Sequence, residues 1–344
     1  MRKIIIFIDG LPYYHKNICE EILNAKSREL KTGLGFSSNQ HCLLLKGKTP
    51  DEVNFFTDWT LNRNINKTGY YLNHNNVIGY VLNKALGKIQ GYTHSIPIGL
   101  HKCFQQSNIY PLKNKSSITN YNEEFKKFDF FIDDEVEELF KSKSILKQDS
   151  ILVINKIDHN GHYLGPRSKK YLESLIDLLQ NLKLLIQRNG GTYILFSDHG
   201  MSDKPKPFKI NLEKEFGQQG NSRYFYFIDS TSIKIWVFEN KLKTKIKEYL
   251  ENIKEGILLN EDNRKEYGVV NKDFGDLIFI LKNDWYFKNT YFGRGWKSKT
   301  LGMHGNWPKH KQQSGIVISD YEDNKESIDS SDFYTQIMQQ FLGK

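Results

Sequence analysis

Asp158 and His162 stand four residues apart in "DHNGH", Asp198 and His199 are adjacent in "SDHGM", and His304 lies between glycines in "GMHG". Carboxylate and imidazole together are zinc ligands, with manganese and iron as alternatives. On a helical turn, residues four apart share one face, so Asp158 and His162 could hold one ion. A third acid, Asp9, closes "KIIIFIDG". A single acid after an apolar run can simply cap the next helix, and a lone histidine such as His304 commonly serves packing. Three acids converging on one sheet edge are different. Their mutual repulsion would raise their pKa values unless cations neutralised them.

The runs that carry these acids read as strands. "KIIIFIDG", "SILVINKID" (150–158) and "GTYILFSDHG" (191–200) are each an apolar stretch with a polar end that carries an acid. Continuous apolar runs of this kind suit the buried strands of a parallel sheet. Open parallel sheets place ligand sites beyond the carboxyl ends of their strands. Between the last two runs, "SKKYLESLIDLLQNLKLLIQRNGG" repeats Leu and Ile at three- and four-residue spacing and stops on Gly190 and Gly191. That pattern predicts an amphipathic helix with a glycine stop. Strand, helix, strand is a βαβ unit, so the expected class is α/β, a central mostly parallel sheet sandwiched by helices.

Elsewhere the text changes character. Residues 60–149 are polar, with a helix expected at the end of "NEEFKKFDFFIDDEVEELFKSK". From about 205 to 295, "SRYFYFIDSTSIKIWVFEN" reads as two strands, "KLKTKIKEYLENIKEG" as a helix and "GDLIFILKND" as a further strand. This is a candidate α+β insertion, or cap. The sequence has no internal repeat.

Composition bounds the rest. A chain of 344 residues suffices for one large domain with an insertion. The formal charge of +9 favours a phosphate-bearing substrate, or reflects only a lysine-rich solvated surface. Cys19, Cys42 and Cys103 are too few and too widely spaced for a disulfide framework and read as thiols of a reducing compartment. The N-terminal apolar run, Ile4 to Ile8, is too short for a signal peptide or a membrane span. A cytoplasmic location without a membrane span is therefore expected.

Asp9, "DHNGH", "SDHGM" and "GMHG", in this order, resemble the alkaline phosphatase superfamily, in its nucleotide pyrophosphatase/phosphodiesterase-like branch. The most specific part is D-x-x-G-H-x-x-G-P, Asp158 to Pro166, followed by D-H-G-M, Asp198 to Met201. The resemblance implies two divalent metals. One would be held by Asp158, His162 and His304, the other by Asp9, Asp198 and His199 together with a hydroxyl nucleophile. It also implies an alkaline phosphatase-like core, 1–204 with 296–344, and makes 205–295 the cap.

The family places its Ser or Thr nucleophile at a helix start. "NQHCLLL" reads as helix, and Ser37 and Ser38 stand where an N-cap would be. Counting ten residues back from Gly47, as the resemblance directs, selects Ser37, with Ser38 as runner-up. Metal binding would lower the hydroxyl pKa, and a helix start favours phosphate. Two positions depart from the family. Val53 and Asn54 replace a common His-Gly pair, and Asp58 stands where phosphodiesterases carry an Asn that steadies a phosphate oxygen. That oxygen would then fall to Asn39, Asn62 or Arg63, or the register slips at Asp58. Arg294 and Lys297, in "YFGRGWKSKT", are candidates for phosphate contact or simply loop charges. Tyr13 and Tyr14 are candidates for base stacking or for packing. His41 and His159 fall outside the motif positions.

The implied reaction is hydrolysis of a phosphodiester or pyrophosphate through a phosphoserine. The substrate would be a small phosphate ester such as a nucleotide or nucleotide sugar, and nucleic acid is not expected as a specific partner. The alternatives are a phosphomonoesterase or phosphoryl transferase on the same residues, and a metal-dependent nucleotide-binding module. A binding module would have no need of a nucleophile.

Overall fold

The computed structural model describes residues 2–62, 96, 100, 103–106, 112, 114–220, 223–291, 300–319 and 325–343. Seven strands among them form one sheet, in the order Ser327–Asp329, Ser27–Lys31, Gly315–Ser319, Thr192–Phe196, Lys3–Ile8, Ser150–Ile154, Asp129–Ile132. Gly315–Ser319 runs antiparallel to both neighbours, and the other six run parallel to one another. This is the mostly parallel sheet that the apolar runs predict.

The central strands are apolar throughout because both faces of the sheet are covered. Ile4, Ile6 and Ile8 pack with Leu175, Leu179, Leu182 and Leu185 of the helix Lys169–Asn189. Ile5 and Phe7 face the opposite core, with Leu44 and Leu45 of the helix Ser37–Lys46 and with Phe333 and Met338. The alternation follows from the two-residue period of a strand. Each such side chain contributes roughly 1.5–3 kcal/mol by leaving water. The long helix begins where Ser168 accepts a hydrogen bond from Tyr171 N and ends on Gly190 in the left-handed region, as its sequence predicts.

The structure corrects some boundaries. The strand read over 150–158 stops at Ile154, and Asp158 sits in the first turn of a helix, Lys156–Leu164. Asn155 ends the strand, because its backbone N–H and its side-chain amide both donate to the Asp133 carboxylate, at 2.8 and 2.9 Å. The helix expected at the end of "NEEFKKFDFFIDDEVEELFKSK" is Asp134–Ser142, preceded by the edge strand Asp129–Ile132. Ser27–Lys31, Gly315–Ser319 and Ser327–Asp329 have no counterpart in the sequence reading.

A second sheet, antiparallel throughout, joins Tyr224–Ile228, Ser232–Val237, Leu277–Leu281 and Gly256–Leu258. The helix Asn240–Glu251 lays Leu242, Ile246 and Leu250 into its own apolar cluster, with Phe225, Ile233, Ile235 and Phe279. The two strands, the helix and the further strand read from residues 205–295 are all present. No helix among the described residues is long and apolar enough to cross a membrane.

Candidate metal-binding active site

The sheet brings its acids to one edge. Asp9 follows the strand Lys3–Ile8, and its N–H donates to Ile154 O of the neighbouring strand at 2.9 Å. Asp198 and His199 follow the adjacent strand Thr192–Phe196. Ser197 joins the two loops. Its hydroxyl accepts from Leu11 N at 2.8 Å and donates to His199 O at 2.9 Å. Nothing in the motif arithmetic singled out Ser197, because its work is to hold backbone. Gly200 lies against the carbonyls of Gln312 and Ser314 so closely that a Cβ would collide with both. Met201 fills the space that Gly161 and Gly302 leave open, so the non-ligand positions of the three motifs interlock.

Six side chains meet there. His199 Nε2 is 3.3 Å from Asp9 Oδ1 and 3.4 Å from Asp198 Oδ2. His162 Nε2 is 3.4 Å from Asp158 Oδ2, and His304 Nε2 is 3.7 Å from Asp158 Oδ1. The rings of His199 and His304 stack with centroids 3.7 Å apart. Two groups have ligand atoms within 4.8 Å of one another: Asp9, Asp198 and His199, and Asp158, His199 and His304. The first is the predicted trio. The second holds His199 where His162 was expected, because His199 lies between the carboxylates while His162 pairs with Asp158 from its own helix.

The donor set fits divalent cations. Asp158 Oδ1, Asp198 Oδ2 and His304 Nδ1 are buried with no hydrogen-bond partner. Such orphaned polar atoms are costly and rare unless something fills the site. His199 Nδ1 bonds Gly200 O at 2.9 Å and His162 Nδ1 bonds Gly302 O at 2.8 Å. These bonds hold Nδ1 against a carbonyl and turn Nε2 inward, as outer partners of metal-bound histidines do.

The electrostatics agree. Burial pushes the Asp198 carboxyl up to about 8, against the pull of His199. Burial also raises Asp158, and the Asp9 charge adds to it. His199 rises to about 10, as Asp198 and then Asp9 override the opposing effect of burial. Asp9 is lowered, because the hydrogen bond and charge of His199 outweigh burial. Burial, then the charges of His199 and His162, hold His304 well below its ordinary value. Three carboxyl groups crowd one another here, and a divalent cation would relieve their mutual repulsion.

Ser37 opens the helix Ser37–Lys46, and its Oγ lies 3.0 Å from His199 Nε2 and 3.3 Å from Asp9 Oδ1. The residue in the N-cap position is Phe36, without a side-chain cap, so neither serine serves as the N-cap. Ser38 Oγ instead donates to Asp58 Oδ1 at 3.3 Å.

Other candidates are placed differently. Asn39 is buried, and its amide donates to Leu34 O. Asn62 donates its backbone N–H to Cys103 O at 2.8 Å. Arg63, Arg294 and Lys297 lie outside the described residues. Asn54 Oδ1 accepts from the Asn271 side chain at 2.7 Å, docking that corner on the 268–271 segment. Tyr14 OH donates to Met201 O at 2.9 Å under the Arg167 guanidinium. The Lys16 ammonium lies over the Tyr13 ring. His41 packs edge-on against Phe7, and His159 lies against Tyr163.

The family described as type I phosphodiesterase/nucleotide pyrophosphatase matches residues 92–307. The chain belongs to that family. The matched span contains Asp158, His162, Asp198, His199 and His304, while Asp9 and Ser37 join them through the fold. No curated protein matches the chain at the level of sequence. Among solved structures, it is similar to human ectonucleotide pyrophosphatase/phosphodiesterase 5, at 15% identity and a TM-score of 0.64, covering 100% of this chain and 95% of that one. An inactive variant of the murine protein, in complex with AMP, is similar at 15% identity and a TM-score of 0.62, with the same coverage. At that identity the likeness is one of fold. Family membership carries the chemical class, phosphodiester hydrolysis.

Proposed function

We propose that the protein is a two-metal phosphodiesterase of the nucleotide pyrophosphatase type with Ser37 as nucleophile. The observation that carries this reading is Ser37 Oγ at a helix start, within 3.3 Å of both His199 Nε2 and Asp9 Oδ1. Asp9, Asp198 and His199 would hold one divalent ion beside Ser37, and Asp158, His162 and His304 the other. Zinc suits these donors. Bound there, the ions would lower the pKa of the serine hydroxyl and withdraw charge from the phosphoryl oxygens.

Asp9 and His199 fix the Ser37 side chain for in-line attack. The N–H groups and dipole at the helix start receive the phosphoryl oxygens. The Ser37 Oγ–phosphorus bond forms as the bond from phosphorus to the leaving oxygen breaks, with the hydroxyl proton passing by way of solvent to the departing oxygen. Water then attacks phosphorus, releasing the product and returning a proton to Ser37. A nucleotide diester is the substrate class we favour, in line with the family and with the AMP complex of the murine neighbour.

The test is turnover of a nitrophenyl phosphodiester by zinc-loaded protein. Ser37→Ala and Asp158→Ala should each lose about 10³-fold or more in kcat, with Ser37→Ala keeping its melting temperature. Full activity in either variant would sink the reading. Turnover confined to the monoester would reassign the same residues to a phosphomonoesterase.

A further inference from the structure

Asp58 is an acid where a phosphate-handling site would be expected to avoid one. Its carboxylate accepts a hydrogen bond from Ser38, the neighbour of Ser37 in the first turn of the same helix. Its place is set from the second sheet. The Lys234 ammonium, on the strand Ser232–Val237, donates to Thr57 Oγ1 and to Trp59 O, the residues on either side of Asp58. Lys234 is buried, 1% exposed, and lies over the Phe227 ring. Asp229, equally buried, stands 3.3 Å from the same ammonium, and its Oδ1 has no hydrogen-bond partner. One lysine thus lies between Asp229 and the loop that carries Asp58, two carboxyl groups to one ammonium beside the helix start. Burial raises the Asp58 pKa and the Lys234 charge opposes the rise.

We propose that Asp58, fixed by Lys234, is a charge filter that disfavours phosphates bearing two negative charges and selects singly charged diesters. A monoester carries close to two negative charges at neutral pH, since its second pKa is about 6, whereas a diester carries one. Beside a held carboxylate in a partly desolvated site, the additional charge costs about tenfold in affinity. Lys234 is a positioning residue here. Its donors are taken by the loop and by Asp229, so its charge does not face the phosphate as a free cation would.

This inference rests on the proposed hydrolase reading, and its test separates the two. The zinc-loaded protein and its Asp58→Asn variant are compared on nitrophenyl phosphate and on methyl nitrophenyl phosphate, which share a leaving group. The monoester-to-diester ratio of kcat/KM should rise about tenfold in Asp58→Asn. Asp58→Glu, which keeps the charge, should stay near the wild-type ratio. In parallel, calorimetry reads the binding of inorganic phosphate and dimethyl phosphate, neither of which requires turnover. Both ligands should bind Asp58→Asn more tightly, and phosphate should gain about tenfold more than dimethyl phosphate does. If neither ester is hydrolysed, the hydrolase reading fails while the binding arm still decides the filter. Unchanged phosphate affinity, or equal gains for both ligands, would overturn the filter. Asp58→Ala replaces Asp58→Asn if the latter melts early, with the same expectation.

Discussion

At the scale of single residues, the site divides into groups that present donors and groups that aim them. Gly200 O and Gly302 O aim His199 and His162, and Ser197 ties Leu11 to His199. His15 shows the same logic away from the candidate metal ligands. Its Nε2 bonds Pro166 O at 2.8 Å, so the Pro166 end of the D-x-x-G-H-x-x-G-P motif is held by a neutral imidazole. Burial lowers the His15 pKa to about 4, with the Pro166 hydrogen bond opposing and Arg167 adding to the fall. The folded-state value lies below the unfolded one, so the unfolded chain binds the proton more readily. Stability from this group is present above about pH 6.5 and is lost as pH falls toward 4. Between pH 7 and pH 5 the loss is about 2 kcal/mol. Urea melts at both pH values should show His15→Gln, which can still donate to Pro166 O, with a correspondingly smaller decrease than wild type.

At the scale of elements, the candidate site depends on backbones packed more closely than side chains would allow. The segment after Thr192–Phe196 runs against the 312–314 segment that leads into the antiparallel strand Gly315–Ser319, and Gly200 N donates to Gln313 O at 2.7 Å. Gly200→Ala would drive a methyl group into two backbone carbonyls that have no rotamer with which to retreat. The expected cost is about 1–3 kcal/mol, read as a lower melting temperature, together with weaker zinc binding as Asp198 and His199 shift. Unchanged values for both would show that the two segments can separate freely. The spacing "DHNGH" was a true helical signal, since Asp158 and His162 share a face of Lys156–Leu164. The strand end at Asp158 was misplaced because Asp133, distant in sequence, captures Asn155 and ends the ladder at Ile154.

At the scale of the whole molecule, a sheet edge collects Asp9, Asp158 and Asp198 beneath three histidines, and the native state carries that repulsion unless cations bind. Zinc should therefore raise the melting temperature of chelator-treated protein. Binding at about 100 times the dissociation constant would contribute about 2.7 kcal/mol. Asp198→Asn should show a smaller rise, and a wild-type melting temperature indifferent to zinc would contradict the ligand assignment. Much of this was legible in the chain. Apolar runs ending in acids define the central parallel strands, because a strand buried on both faces has no polar position to spare. The long helix declares its period and its glycine stop. Short motifs name six candidate ligands, because coordination chemistry restricts residue type, and five of them fall in the two candidate metal-binding groups. Other features needed the tertiary structure. Ser27–Lys31, Gly315–Ser319 and Ser327–Asp329 are short strands whose pairing, not composition, makes them strands. That the Ser37 hydroxyl meets Asp9 and His199 while the Ser38 hydroxyl meets Asp58 is also a tertiary feature. Lys234 reads as an ordinary lysine in an alternating strand. Only the fold buries its ammonium between Asp229 and the loop that carries Asp58, because partners 175 and 177 residues away in sequence leave no local trace.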